Sequence, residues 1–101
     1  MNSIPPADGR PVYDPRGVVT AAPRPIAPRA ERLDGLRLAV LDNTKWNANR
    51  LLRKAAERLA AEHRLSAVRY YRKESFSRVA NPALLAEIAG DNDLALTAIG
   101  D

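Results

Sequence analysis

Proline placement sets the first limit on this chain. Seven of the eight prolines (Pro5, Pro6, Pro11, Pro15, Pro23, Pro25 and Pro28) precede Asp34. Proline removes a backbone donor and pushes the residue before it toward extended conformations, so neither helix nor sheet interior suits that stretch. Residues 1–33 are expected to form a Pro/Arg-rich extended leader outside the core. Val12-Tyr13 and Val18-Val19 are the residues with which it could dock, and wrapping a partner subunit would be its functional role. A loose leader is the simpler expectation. About 68 residues, 34–101, remain to fold, a size at which burial only just offsets conformational entropy.

Within that segment the apolar spacing changes period several times. Leu36 to Leu41 follows an Asp34-Gly35 turn signal and reads as an aliphatic strand, with Arg37 near its exposed start. A polar loop, Asp42 to Asn47, comes next. Ala48, Leu51, Leu52, Ala55, Ala56, Leu59 and Ala60 then form one helical stripe, and His63-Arg64 supply cations for the last turn. Leu65 to Arg72 reads as a second, more polar strand, and Lys73 to Ala80 as a connection. Asn81-Pro82 is an N-cap followed by proline at the first helical position. The short helix carrying Ala83, Leu84, Leu85, Ile88 and Ala89 should stop at Gly90 with Asp91-Asn92. Leu94 to Ile99 is a third strand, apolar on both faces, and ends in Gly100-Asp101.

The order β-α-β-α-β predicts an α/β fold, a three-layer sandwich on a small parallel sheet. Arg69 and two tyrosines make the second strand a poor centre, because a buried charge is costly without a partner. The expected strand order is therefore 2-1-3, with right-handed crossovers placing the helices on opposite faces. The switch point then falls at the carboxyl ends of strands one and three. There the loop 42–47 meets Gly100-Asp101.

Two constellations compete as sites. The first lines that switch point: Asp42, Asn43, Lys45 and Asn47 opposite Gly100 and Asp101. Paired carboxylates at Asp42 and Asp101 could do acid-base work or hold a divalent metal, although capping a turn is the commoner role of such aspartates. Lys45 could balance their charge or hold an anion, the two amides could orient a ligand, and Trp46 could cover the site or pack on the sheet. The second is basic. Arg50, Lys54 and Arg58 recur at i, i+4 and i+8 on one helix face, with Tyr70, Tyr71 and Trp46 as stacking surfaces. Glu57 and Glu62 dilute that face, and a solvated surface is its ordinary explanation.

Arginine supplies 13 of the 16 cations and the net charge is +4, but the cations are spread along the whole chain. Nucleic acid is thus an unfavoured partner. There is no cysteine, which excludes a thiol nucleophile and thiolate metal site within these residues, and His63 is the only histidine. No metal or cofactor is expected, no membrane span is long enough, and the reading is a cytoplasmic protein.

The blocks Leu41-Asp42-Asn43-Thr44-Lys45-Trp46-Asn47-Ala48 and Leu94-Ala95-Leu96-Thr97-Ala98-Ile99-Gly100-Asp101 resemble the two signature blocks of the UGSC family of (seleno)proteins. The helix, strand, Asn-Pro helix and Asp-Asn-Asp between them are also similar, and the resemblance covers most of residues 14–101. It implies that selenocysteine or cysteine, then Gly-Ser-Cys, would directly follow Gly100-Asp101, bringing redox or nucleophilic chemistry. The expectation is an N-terminal portion truncated at a selenocysteine codon, without redox or hydrolytic turnover by itself. A small basic module binding nucleic acid or protein is the alternative. An exposed edge on strand three leaves a homo-oligomer or a partner subunit open.

Overall fold

A computed structural model describes residues 3–4, 8–17 and 20–100. In the leader, β1 (Ser3–Ile4) and β2 (Val12–Tyr13) pair antiparallel, Ser3 opposite Tyr13 and Ile4 opposite Val12. The leader thus carries a two-residue hairpin that its prolines did not suggest. Val12 and Tyr13 do not dock through their side chains, which are largely exposed, but use their backbones in a hairpin. Pro11 lies just outside the paired residues, where its missing donor costs nothing. Val18-Val19 falls outside the described residues. Asp14 accepts two side-chain hydrogen bonds of 2.8 Å from Arg16, and Asp8 accepts one of 2.7 Å from Arg10 Nε, so these two leader cations are partnered locally.

The remaining elements are β3 (Arg37–Asp42), α1 (Ala48–Glu62), β4 (Ala67–Arg72), α2 (Pro82–Asp91) and β5 (Leu94–Ala98). They form an α/β unit with a three-stranded parallel sheet in the order β4-β3-β5. The label 2-1-3 counts three strands only; the leader hairpin adds two, and numbering over the chain changes accordingly. Arg37–Asp42 stands in the centre. Leu38, Ala39 and Val40 are at most 3 % exposed, as a strand paired on both sides requires.

α1 presses Leu52 and Ala56 onto Leu38 and Val40, with Leu59, Leu65, Val68, Leu94, Leu96 and Ala98 around them. The buried stripe is narrower than the spacing predicts: Leu51 and Ala60 are exposed. One helix against three strands can bury a single row, and Leu51 lies off that row. The helix ends at Glu62, so His63 is its cap and no cation occupies its last turn. Just beyond, Asp34 accepts from the Arg64 amide (3.0 Å), while the Gly35 amide donates to the Arg64 carbonyl (2.7 Å). Gly35 sits at φ +81, a conformation that glycine takes without a Cβ clash.

α2 begins as the Asn81-Pro82 pattern predicts, Asn81 Oδ1 accepting from the Ala83 amide at 2.8 Å. It runs through Gly90 to Asp91 rather than stopping at the glycine, and Asn92 is the cap. β5 departs furthest from expectation. Ala95 and Thr97 are exposed, while Leu94, Leu96 and Ala98 are half-buried toward α1. Among the described residues it pairs with β3 alone, so it is a one-sided edge strand and not a buried one.

Candidate functional site

Parallel strands deliver their following loops to one edge of the sheet. Asp42 ends β3 in register with Arg72 on β4 and Ala98 on β5. The loop leaving Asp42 is built by its own polar side chains. Asp42 Oδ1 accepts from the Thr44 amide (2.7 Å), Thr44 Oγ1 donates to the Asn43 carbonyl (2.6 Å), and Asn43 Oδ1 accepts from the Lys45 amide (3.1 Å). These side chains replace the backbone partners that a tight turn leaves unmet. Thr44 and Asn47 take left-handed backbone, φ 69 and φ 64. Asn47 precedes α1 without a side-chain cap; the Ala48 amide instead donates to the Lys45 carbonyl at 3.0 Å.

The amide of Asn43, which in sequence suggests a ligand-orienting role, is engaged by the chain itself. Its Nδ2 donates to the Ile99 carbonyl at 2.6 Å and its backbone amide to the Ala98 carbonyl at 3.3 Å. Both groups fasten the end of β5 to the loop after β3. Gly100, exposed, follows directly. The structure thus brings the 42–47 loop and the exit of β5 together. Asp101 lies outside the described residues, so the carboxylate pair has one described member, and Asp42 serves as a turn former. Among the described residues no cluster of acids and histidine could hold a metal ion. Trp46 neither covers the site nor packs on the sheet, being 88 % exposed. Lys45 is half-buried within the loop.

The basic row is also where the spacing puts it, but its members differ. Arg50 and Lys54 flank Leu51 and Asn47 around an open hollow of about 270 Å³. Arg58 pairs with Glu62 on its own helix at 3.6 Å. Tyr70 and Tyr71 do not make a joint stacking surface. Arg53 lies over the Tyr70 ring, 4.6 Å from its centroid, whereas the Tyr71 hydroxyl meets Asn92 after α2 at 3.0 Å.

Sequence reasoning missed a second group on the same edge. Asp42, Asn49, Arg53, Tyr70 and Arg72 surround a cleft of about 230 Å³ between α1 and β4, floored by Val40 and Leu52. Its signal was available: Asn49 and Arg53 are spaced i, i+4, and Tyr70 and Arg72 alternate on a strand. Reading the arginines by helix face alone hid it.

No helix among the described residues is long and apolar enough to cross a membrane. No curated protein and no solved structure matches the chain significantly. A family model does match, over residues 11–101, from the leader hairpin's second strand through both loop-bearing strands, and the chain belongs to the UGSC family.

Proposed function

We propose that this UGSC domain is the N-terminal, scaffold portion of a cytoplasmic selenol- or thiol-dependent protein, and that it has no turnover by itself. The observation that carries the reading is the Asn43 fastening. It holds the β5 exit against the 42–47 loop, which carries Asp42, Asn43, Lys45 and Asn47. In the signature blocks described above, the selenocysteine or cysteine of the family motif would follow that exit. Further chain would also complete a three-layer sandwich and supply a neighbour for the open edge of β5, which a homo-oligomer or partner subunit could otherwise cover.

Reading the messenger tests this directly. The codon after Asp101 should be UGA, followed in frame by codons for Gly, Ser and Cys. A UAA or UAG codon there overturns the reading. The alternative, a basic module on nucleic acid, draws support from Arg50 and Lys54 alone, since Arg58 is engaged by Glu62. Tight binding to single-stranded DNA with a steep salt slope would favour it.

A further inference from the structure

The cleft between α1 and β4 contains an arrangement that neither constellation uses. Asp42 and Arg72 are register partners on adjacent strands, whose backbones lie about 4.8 Å apart. Opposite charges so placed ordinarily attract each other across the strands. Here they do not form an ion pair. Asp42 turns one oxygen onto the Thr44 amide, and no described residue bonds to its other oxygen or to the Arg72 guanidinium. The cleft opens between them.

A second guanidinium overlooks the same space. Arg53 donates from Nε to Asn49 Oδ1 at 2.7 Å and rests on the Tyr70 ring. These contacts fix the plane of the group and leave its two terminal nitrogens without a partner among the described residues. An arginine held in this way gives up less side-chain freedom on taking a ligand. Below, Val40 and Leu52 are at most 2 % exposed, so the cleft ends on the packed core.

We propose that this cleft binds a short hydroxycarboxylate monoanion. The planar forks of Arg53 and Arg72 match a carboxylate in geometry and charge. The unused oxygen of Asp42 accepts from a neighbouring hydroxyl, and the short carbon skeleton stays within the cleft between α1 and β4. Charge decides against a phosphate dianion. Two arginines and one aspartate leave a single net positive charge, and the aspartate repels a dianion. Size decides against a nucleotide, because about 230 Å³ is below the roughly 300–1,000 Å³ usual for larger ligands. The inference does not depend on a selenol or thiol, since binding is asked of residues 1–101 alone.

Nuclear magnetic resonance titration of the purified protein at pH 7 with lactate, propanoate and inorganic phosphate tests it. Lactate should shift the amide signals around Asp42, Asn49 and Arg72. Propanoate, lacking the hydroxyl, should bind at least about tenfold more weakly. Arg72→Met should weaken lactate by at least about tenfold, and Asp42→Asn should bring lactate down to the propanoate level. Arg29→Met, a leader control of equal charge change, should alter nothing. Absence of lactate binding, unchanged affinity in both Arg72→Met and Arg53→Met, or phosphate binding as tight as lactate overturns the assignment. Retained amide dispersion in each variant separates a lost ligand from a lost fold.

Discussion

The two helices are fixed by opposite kinds of force. α2 is the more apolar in sequence, carrying Ala83, Leu84, Leu85, Ala86, Ile88 and Ala89, yet it buries only Ile88 and exposes about half of Leu85. α1 is studded with arginines and glutamates and buries Ala48, Leu52 and Ala56. Apolar content therefore says less than spacing. A row at i, i+4 and i+8 meets the sheet along its length, whereas the shorter helix of mixed spacing fully buries a single side chain. α2 is held instead by polar contacts at its ends. Asn81 caps its start, the Arg69 guanidinium donates to the Asp91 carbonyl at 2.6 Å, and Asn92 Nδ2 donates to Tyr71 Oη and to the Ile88 carbonyl, each at 3.0 Å.

Removing apolar contact under α1 should give the largest effect. Leu52→Ala leaves a cavity between the helix and Val40 and should cost roughly 2–5 kcal/mol. In a domain this small that is enough to abolish cooperative unfolding in urea, and a stable variant would mean that α1 is not the main anchor. Asn92→Ala should cost less, about 1–3 kcal/mol, and loosen α2 while leaving α1 protected from amide exchange. The loss is limited because the carbonyl oxygen of Asn92 is already buried without a donor among the described residues. Equal deprotection of both helices would erase the contrast.

The smallest effect is electrostatic. Arg37, by its side-chain and backbone hydrogen bonds, holds the Asp93 carboxyl down at about 2, against an ordinary 3.8. A depressed folded value means that the stabilisation is complete above about 3.8 and is lost as pH falls toward 2. Asp93→Asn should flatten the acid limb of a stability-versus-pH curve in that window, with little change at pH 7 beyond the loss of an exposed pair. An unaltered acid limb would show that the pair does not persist in solution.

Much of this was legible in the sequence, and the exceptions share a cause. The strand before Asp42, the helix from Ala48 and the Asn81-Pro82 start each follow from local chemistry, in which neighbours along the chain supply the partners. The loop 42–47 was legible as a polar loop for the same reason. The role of Asn43 was not, because its partners lie at Ala98 and Ile99 and no local rule selects them. The apolar residues of β5 pointed to burial on both faces, but burial depends on which elements stand beside a strand, and Ala95 and Thr97 have none over them among the described residues. The strand pairing of Val12-Tyr13 was hidden by the prolines around it, since a two-residue ladder needs few donors. Trp46 illustrates the converse. A large aromatic in a site loop suggests a cover, but the left-handed turn at Asn47 carries the chain into α1 and leaves the indole outside.

The polar contacts between β3 and β5 also settle an ambiguity that apolar alternation leaves open. Side chains along a strand repeat every two residues, so sliding β5 by two positions would return Leu94, Leu96 and Ala98 to the same face. Hydrophobic pattern alone is degenerate between those alignments. Arg37 with Asp93 at one end, and Asn43 with the Ile99 carbonyl at the other, share a sequence separation of 56, as does Thr97 with the Leu41 carbonyl. A two-residue slide would sever all three together. The sheet is thus keyed like a lock with pins at both ends, and charge and amide groups, which contribute little to its cohesion, select which of the equally greasy alignments exists.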